Sequence, residues 1–409
     1  MEKEVGRSGL NRWGGYISEE FLPDLRGERG IKIYREMSEN DSTVGAILYA
    51  IKMLVRQADW RVEPGGSRQQ DKDAAAFVQS CLDDLNIPWQ DTISEILSFL
   101  TYGWSLHEIV YKRRMGNKKD PRLKSRFDDG LIGWAKLPIR AQTSLSHWEF
   151  DEHDNLTAFV QRPPPDYVEI TIPAEKFLLF RTETHKDNPE GRSVLRTAYR
   201  DWFFKKRIQE LEGIGIERDL AGLPVLIAPE GLDIWSDANL LKTCNDFVQN
   251  IRRDALEGLV LPYGWELKLL SSGNGGGRQF DTNTIIQRYD SRIAMTVLAD
   301  FLFLGHEQSG SWALSSDKTR LFAVAIGTYL DIISEVFNQK AIPALVDING
   351  LNAAYPQLIH GDIETVDLDK LGGYLKTCAE LGLINADDTL EDYLRAQAGL
   401  PARLEKDDY

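Results

Sequence analysis

Six histidines are the side chains of this sequence best suited to binding a metal or moving a proton. They are His107, His147, His153, His185, His306 and His360. None stands at metal-ligand spacing, such as HxxxH or HExxH, from another histidine, a cysteine or an acid. His107 and Glu108 are neighbours on a predicted strand, where successive side chains face opposite sides of the sheet. The pattern therefore favours structural histidines, and we expect no metal site and no cofactor.

No other short motif indicates a catalytic site. The glycine-rich segment GNGGG at 273–277 lacks the GK[ST] ending of a phosphate-binding loop and is interpreted as a flexible loop. A GxSxG elbow, which would indicate a serine hydrolase, does not occur. The acidic clusters DEHD and EKDD are typical of a turn and a tail. A metal-dependent nuclease, whose acids would converge from several strands, stays open as an alternative to a non-enzymatic protein.

A basic stretch at 112–126 has two interpretations. It carries one acid, Asp120, among the cations Lys112, Arg113, Arg114, Lys118, Lys119, Arg122, Lys124 and Arg126. The stretch could contact phosphates. A solvated hairpin tip is favoured, because no aromatic side chain interleaves the cations as it would in a base-stacking site. The same two interpretations apply to Lys205, Lys206 and Arg207.

Composition limits the class of protein. A single hydrophobic core rarely grows beyond about 250–300 residues, so the 409 residues predict two or more substructures. The net charge is −15, whereas proteins that grip nucleic acid over a broad surface are usually basic. Three cysteines without a CxxC pair predict a reducing compartment. There is no apolar signal segment and no run of 18 apolar residues, so we expect a soluble intracellular protein without a membrane partner.

The elements that must position these residues follow from periodicity and caps. Up to about residue 185 the pattern is α+β, with helices first and strands second. Asp41 or Ser42 is the predicted cap of a helix whose apolar residues recur at helical spacing, and Gly103 is the predicted end of another. Helices are predicted at 31–58, 71–86 and 89–103, and strands in DWRVEPGG, WSLHEIVYKRR, LIGWAKLPIR, SHWEFDEHDNLTAFVQR and FLLFRTE.

The second half predicts long helices separated by short strands. The helices are expected at about 192–217, 236–252 (capped by Ser236 or Asp237), 282–304 and 317–340, followed by two near 367–381 and 387–398. Strands are expected at 220–229, on both sides of a Pro-Tyr-Gly turn within 257–270, and near 357–363. The segments 271–279 and 305–317 are predicted loops.

The helix predicted at 192–217 has an unusual composition. Its apolar stripe is thin, and charged residues fill most of its surface. Gly213 and Gly215 lie near its end, where each glycine costs about 1 kcal/mol relative to alanine. We therefore predict that the two glycines permit close approach of another backbone. Both features are typical of a helix that packs side by side with copies of itself in an oligomer.

The order of these segments resembles the portal proteins of tailed double-stranded DNA phages, and most closely the Mu-type portal family. The resemblance spans residues 31–400. The matching stretches are YREMSENDSTVGAILYAIKMLVRQADWRVEP, YGWSLHEIVYK, GRSVLRTAYRDWFFKKR, GLPVLIAP, GLVLPYGWEL and YDSRIAMTVLADFLFLG.

The resemblance implies a portal-like α+β fold with the following parts. They are an N-terminal arm (1–30), the first part of an α+β wing (31–190), a stem helix (191–218), a small α/β clip (219–262), a return connection (263–281), a second stem helix (282–304), a tunnel loop (305–317), the second part of the wing (318–365) and a short helical C-terminal crown (366–409).

The same resemblance implies where functional residues lie. The tunnel loop facing a DNA channel would contain His306, Glu307, Gln308, Ser309, Ser311 and Trp312. Stem-helix packing would involve Gly213, Gly215, Lys205, Lys206 and Arg207. Partner docking on the clip would involve Leu223, Pro224, Val225, Leu259, Leu261 and Pro262.

The function implied is that of a ring at one vertex of the virion, expected to be a dodecamer and assembled in the host cytoplasm. Double-stranded DNA would be packaged and ejected through it. A terminase motor, then head-completion and tail adaptor proteins, would dock on it, and the major capsid protein would surround it. An acidic channel would let the duplex slide, because it repels phosphate. Gene transfer agents and defective prophages carry similar rings, and a different ring-shaped head–tail adaptor is disfavoured by the length of the chain.

Overall fold

The computed structural model describes residues 6–221, 223–250, 260–270, 281–297 and 312–361, together with isolated residues between 373 and 395. The chain divides into two units. The larger unit comprises Met1–Arg196 and Val297–Tyr409, and the smaller unit comprises Thr197–Thr296. Both contain helices and strands, which confirms the predicted α+β class.

The described helices are, in chain order, α1 (Gly27–Asn40), α2 (Ser42–Gln57), α3 (Gln69–Asp83), α4 (Trp89–Ile96), α5 (Ser98–Tyr102), α6 (Tyr199–Ala221), α7 (Ala238–Asn250), α8 (Thr282–Thr296), α9 (Trp312–Val336) and α10 (Ile342–Ile348).

The described strands are β1 (Arg12–Trp13), β2 (Tyr16–Ile17), β3 (Trp60–Glu63), β4 (Trp104–Glu108), β5 (Val110–Arg113), β6 (Ile132–Lys136), β7 (Ile139–Arg140), β8 (Leu145–Phe150), β9 (Leu156–Gln161), β10 (Ile170–Pro173), β11 (Phe177–Arg181), β12 (Leu223–Ile227), β13 (Glu266–Leu270) and β14 (Gln357–His360). All their pairings are antiparallel. They are β1–β2, β3–β14, β5–β6, β12–β13, β10–β9–β8 and β11–β4–β7.

Asp41 caps a helix and Gly103 ends another at the positions that the sequence predicts. The Asp41 carboxylate accepts hydrogen bonds from the backbone N–H groups of Thr43 and Val44, so α2 begins at the predicted cap. Residues 31–58 are therefore two helices, because Asp41 itself is extended. Gly103 ends α5 with a φ of 92°, as predicted. A Cβ at this position would lie 2.6 Å from the Glu190 carbonyl oxygen, so only glycine fits.

The helix predicted at 89–103 breaks at Leu97, which separates α4 from α5. The reason is tertiary. Strand β4 follows immediately, and the hydroxyl of its Ser105 donates a 2.7 Å hydrogen bond to the Ile96 carbonyl oxygen. That carbonyl lies at the end of α4, where an intrahelical partner is missing.

Aromatic and aliphatic side chains from five strands form a core cluster of the larger unit. Trp104 and Trp148 meet edge to face with ring centroids 5.1 Å apart, a favoured geometry for aromatic pairs. The full cluster contains Trp104, Leu106, Trp148, Phe159, Ile172 and Phe177. It spans strands β4, β8, β9, β10 and β11, so it joins two of the three-stranded sheets.

The predicted N-terminal arm is tied to the larger unit. Its Glu19 carboxylate pairs with Lys186 at 3.1 Å, and its Glu20 carboxylate pairs with Arg196 at 2.5 Å. The boundary at residue 30 is wrong for the helix, which begins at Gly27. These ion pairs fasten residues 6–26 as an ordered cover rather than a loose arm.

Helices α9 and α10 are joined by a π-helical turn, Phe337–Ala341, so the helix predicted at 317–340 begins earlier and continues further. By length and composition only, Leu321–Ile348 is apolar enough to cross a membrane. However, Phe322, Ile326, Leu330 and Ile333 are buried at helical spacing, and α9 packs on α2, β11 and β14. This burial is that of an amphipathic core helix.

Most of the predicted C-terminal crown lies outside the described residues. At the predicted start of its second helix, the Asp387 carboxylate accepts a 2.7 Å hydrogen bond from the N–H of Leu390. The N–H of Glu391 donates to the Asp387 carbonyl oxygen at 3.0 Å. Both bonds are typical of an N-cap.

Candidate channel and docking segments

The smaller unit is built on the pair of long helices α6 and α8. Lys205 is buried, and its ammonium lies 2.6 Å from the carboxylate of Asp290. Arg292 lies 3.6 Å from Asp201, and Thr282 donates a hydrogen bond to Glu212. The partners on α8 descend in number as those on α6 ascend, so the helices run antiparallel.

This pairing settles the role of one predicted stem residue within the chain. Lys205 was open to interpretation as a phosphate contact or a solvated cation, and neither describes it, because its charge is neutralised inside the unit. Lys206 instead lies 5.5 Å from the ring centroid of Trp202 and Arg207 pairs with Glu210 at 3.1 Å on the surface.

Gly213 and Gly215 lie on an open part of α6. A Cβ built at either position would meet no atom within 4 Å. The close approach predicted at these glycines is therefore not made by the described part of the same chain, and it stays a prediction for a neighbouring one.

Helix α6 begins at Tyr199, seven residues after the predicted start at 192, and ends at Ala221. The cause is a set of contacts with α5. The N–H of Val194 donates to the Leu100 carbonyl oxygen at 3.0 Å, and the Ser193 hydroxyl donates to the Thr101 carbonyl oxygen at 2.6 Å. These bonds hold the preceding segment in turns.

The predicted clip, 219–262, contains β12 and helix α7, and β12 pairs with β13 from the predicted return connection, 263–281. Leu223, Pro224 and Val225 lie on β12, opposite residues 268–270 of β13. Of the two strands predicted around the Pro-Tyr-Gly turn, the second is confirmed as β13, whereas the described part of the first is wrong. Residues 260–262 form no strand, because the turn closes with a 3.1 Å bond from the Trp265 N–H to the Pro262 carbonyl oxygen. Leu261 is half-buried and Pro262 is exposed, whereas Leu259 lies outside the described residues.

Helix α7 starts as predicted. The Asp237 carboxylate accepts hydrogen bonds from the N–H groups of Asn239 and Leu240, at 2.9 and 3.3 Å. The cap is therefore Asp237, one of the two candidates, and α7 begins at the next residue.

Most of the predicted tunnel loop lies outside the described residues, and this applies to His306, Glu307, Gln308, Ser309 and Ser311. Helix α8 is described up to Thr296, and the rest of the helix predicted to 304 lies almost entirely outside the described residues. Trp312 was predicted in the loop, but it is the first residue of α9. The segment 312–317 is therefore helical rather than a loop.

Large apolar side chains are exposed on the smaller unit. On α6 they are Phe203, Phe204, Leu211, Ile214 and Ile216, between 39 and 56% exposed. Around the predicted clip, Trp235 is 82% exposed and Val260 is 93% exposed. Exposed apolar surface of this extent is typical of a protein interface.

A sequence profile described as "Portal protein of Mu bacteriophage" matches residues 31–400. The chain belongs to this portal family. The resemblance found in the sequence is thereby confirmed, and the protein is a portal at the vertex of a phage-type capsid. The family is structural rather than enzymatic.

Solved structures share the fold of this portal protein at low sequence identity. A chain of the virion of a native gene transfer agent particle matches with a TM-score of 0.56 and 12% identity, covering 97% of each chain. A chain from the neck of the native particle, computed with C12 symmetry, gives 0.55 and 11% over the same coverage. One from the neck of the empty particle, computed with C6 symmetry, gives 0.53 and 11%, again over 97% of each chain.

The histidines of the portal protein fit the structural interpretation where they are described. His107 is fully buried on β4, and its Nδ1 lies 2.8 Å from the Leu137 carbonyl oxygen. Burial lowers the pKa of His107 to about 4. His360 contacts Asp331 at 3.0 Å. Among the described residues, no three His, Cys, Asp or Glu side chains converge on a metal-sized site.

A cavity of about 500 Å³ lies in the larger unit, beneath the N-terminal cover. Its wall includes Glu190, whose carboxylate accepts a 3.2 Å hydrogen bond from the indole N–H of Trp148. Burial raises the pKa of Glu190 to about 7, although the indole donor opposes the shift. This carboxyl is a buried titratable group that sequence reasoning missed, since no local pattern distinguishes it.

The basic stretch lies at the β5–β6 hairpin, and the solvated-tip interpretation holds for six of its eight cations but not for Lys112 and Arg114. Lys112 and Arg114 are buried at the β5–β6 hairpin, where Asp84 and Asp129 pair with them at 3.0 and 2.8 Å. We call residues 113–126 the basic loop. Its remaining cations, Arg113, Lys118, Lys119, Arg122, Lys124 and Arg126, are exposed.

Proposed function

We propose that the portal protein assembles into a closed ring of twelve subunits, in which copies of α6 lie side by side around a channel for double-stranded DNA. The observation that carries the proposal is the set of exposed apolar side chains on α6, at Phe203, Phe204, Leu211 and Ile214 on one side and Ile216 on another. The helix uses its ionic contacts to bind α8 in its own chain, which leaves these apolar side chains exposed.

Assembly into a ring explains why apolar side chains are exposed on α6 in the single chain. In a head-to-tail ring each subunit covers one surface of its neighbour and is covered on another, so no edge is left when the rotation closes. The open space beside Gly213 and Gly215 would admit the neighbouring backbone. Twelve is the proposed number because a neck chain of the same fold was solved in a particle of C12 symmetry.

The net charge supports passage of DNA rather than tight binding inside the channel. With −15 per chain, a ring carries a large negative charge. Acids that face the channel repel phosphates, so a duplex can slide. We propose 305–317 as the segment that meets the DNA, with its last six residues extending α9.

The division of labour along the chain follows the family. We propose 31–190 and 318–365 as the wing surrounded by the major capsid protein, 191–218 and 282–304 as the stem, 263–281 as the return connection and 366–409 as the crown. The clip, 219–262, is the proposed docking site of the terminase motor and then of head-completion and tail adaptor proteins. The exposed Trp235 supports this, because tryptophan is enriched at the energetic centres of interfaces.

The experiment that tests the proposal is the native mass of the purified chain, with negative-stain images of the same fraction. We expect twelve times the 46.4 kDa of one chain and a ring with a central hole. A monomer or dimer without a hole, at all concentrations and salt conditions tried, contradicts the proposal. No observation on the described residues favours a nuclease, and no second function is proposed. Assembly of the ring in the host cytoplasm, without enzymatic activity, belongs to the same proposal.

A further inference from the structure

The basic loop carries five exposed cations that lack an ion pair with any described residue. They are Arg113, Lys118, Lys119, Lys124 and Arg126. The sixth exposed cation, Arg122, pairs with Asp120 at 2.8 Å. In a chain with a net charge of −15, this segment is a local concentration of positive charge.

One buried carboxylate holds both ends of the basic loop. Asp84 pairs with Lys112, which precedes the loop, and both side chains are at most 4% exposed. At the other end, the Ser125 hydroxyl donates to Asp84 at 2.6 Å, and the Arg126 N–H donates at 2.9 Å. The two ends are therefore fixed relative to each other.

A second buried side chain, that of Arg114, connects the start of the loop to the residues around it. Arg114 pairs with Asp129 and donates a 2.8 Å hydrogen bond to the Ser80 hydroxyl. Its guanidinium also lies 4.1 Å from the ring centroid of Phe127. Backbone bonds such as Met115 N–H to Leu123 carbonyl, at 3.1 Å, fold the loop onto itself.

This support gives the exposed cations a built platform. The fold neutralises the two buried cations and one exposed cation, and it leaves the other five with their repulsion uncompensated. These five cations are therefore available to an external anion. An anion with several closely spaced charges would complement them.

The chemistry of the exposed surface selects the kind of anion. Its exposed side chains from 113 to 129 are charged or amide groups apart from Pro121. Protein interfaces are depleted in lysine and have an apolar centre, which this surface lacks. It also lacks an exposed aromatic side chain for stacking on unpaired bases. Phosphate contacts need only lysine, arginine and backbone N–H groups.

We propose that the basic loop binds the phosphate backbone of duplex DNA, independent of sequence. This site is separate from the proposed channel and does not require it. The cations contact phosphates from outside the duplex, and the buried pairs at Asp84 and Arg114 keep them in position.

The test compares two variants of the full chain that remove the same charge. The loop variant is Lys118→Ala/Lys119→Ala/Lys124→Ala. The control variant is Arg29→Ala/Lys32→Ala/Arg35→Ala on α1, whose cations pair with Asp24, Glu28 and Glu39. The dissociation constant of a labelled random-sequence duplex of about 25 base pairs, a length on the scale of DNA-binding sites, is measured by fluorescence anisotropy at several salt concentrations.

We expect the salt dependence of duplex binding to be weaker for the loop variant, which keeps Arg113 and Arg126, and unchanged for the control variant. Each phosphate contact contributes about 0.9 to the slope of log affinity against log salt, so three contacts contribute about 2.7. Between 50 and 200 mM salt the original chain should therefore lose about 40-fold more affinity than the loop variant.

Three results overturn the proposal. They are equal slopes for the two variants, no duplex binding by the original chain at 50 mM salt, and tighter binding of a single strand of equal length. Thermal unfolding checks that each variant is folded. Because the substituted loop lysines make no described ion pair, the loop variant should unfold at the same temperature as the original chain. Negative-stain images of each variant report ring assembly separately, so failure of the ring and failure of this site are distinguishable.

Discussion

At the scale of single residues, the Asp84 carboxylate contacts Lys112, Ser125 and Arg126 at once. Burial alone would raise the pKa of Asp84, but the donors Ser125 and Arg126 and the charge of Lys112 outweigh it and hold the pKa below its usual range. The carboxylate therefore stays ionised while buried. It stabilises the fold because it balances the charge of the buried Lys112 ammonium.

Replacing Asp84 by alanine should destabilise the larger unit strongly. Removal of one partner of a buried ion pair costs about 3–5 kcal/mol, because the other charge is left unpaired. The free energy of unfolding from urea titration measures this. Asp120→Ala, which breaks the exposed pair with Arg122, is the matched control and should change it little. Equal effects of the two substitutions would show that burial does not matter here.

His107 should make the protein less stable in acid. The folded state holds this ring neutral with a pKa of about 4, whereas an unfolded histidine takes a proton near pH 6.5. The unfolded state therefore binds more protons between these values, and stability falls as the pH falls from about 6.5 to 4. His107→Gln should flatten this part of the profile of unfolding free energy against pH. An unchanged slope would contradict the buried neutral ring.

Glu190 should act in the opposite direction over nearly the same range. Its folded pKa of about 7 lies above that of an unfolded glutamate, near 4.5. The folded state binds the extra proton, so the contribution of Glu190 to stability is present below about pH 4.5 and is lost as the pH rises through 7. Glu190→Gln should remove that loss, which a series of melting temperatures from pH 5 to 8 would detect. A steeper loss in the variant is the contradicting outcome.

At the scale of elements, α6 separates what one chain needs from what an assembly needs. Its pairing with α8 buries Lys205 against Asp290, and this contact is complete within the chain. The described ring contacts of its exposed Phe203 and Phe204 are made within α6 itself, and there is open space beside its two glycines. The same helix thus has a face that packs on α8 and exposed apolar residues elsewhere on its surface, which is expected of a subunit that packs against copies of itself.

Gly213→Leu should leave the single chain folded and impair assembly. In the chain there is open space at this position, and leucine favours a helix over glycine by up to about 1 kcal/mol. Beside a neighbouring subunit the larger side chain would hold the backbones apart. Analytical ultracentrifugation should report a smaller ring fraction. Gly327→Leu on α9, also a helical glycine with no atom within 4 Å of a built Cβ, is the control, and equal ring fractions would contradict the close approach.

At the scale of the whole molecule, the two units differ in how they are stabilised. The larger unit buries an aromatic core and uses strands distant in sequence. Large apolar side chains are exposed on both units, but the smaller unit, with fewer residues, concentrates them on α6 and around the clip. Assembly is therefore expected to depend on the smaller unit.

Leu211→Glu/Ile214→Glu should abolish the ring while sparing the fold. Both side chains are about half exposed in the single chain, at 56 and 47%, so a charge there disturbs little. Between subunits the same charges would be buried without a partner, which is strongly unfavourable. Native mass spectrometry should then show single chains. Val168→Glu, at a residue 63% exposed on the larger unit, should still give rings.

The sequence by itself determined the features that arise from neighbouring residues. Helices begin after Asp41 and Asp237 and end before Gly103, as predicted, because capping involves atoms within three or four positions of one another in the sequence. The order of such elements also carried the family resemblance. The predicted docking and packing residues were reached only through that resemblance, since no local chemistry distinguishes them.

Only the tertiary structure decided the contacts between distant segments. The pairing of β3 with β14, the neutralisation of Lys112 by Asp84 and the late start of α6 each depend on residues far apart in sequence. A pattern of local spacing contains no information on which distant group fills a given position, because packing and hydrogen bonding of the whole unit select it. For this reason the sequence predicted the solvated hairpin tip but not the buried ion pairs of Lys112 and Arg114 at its base.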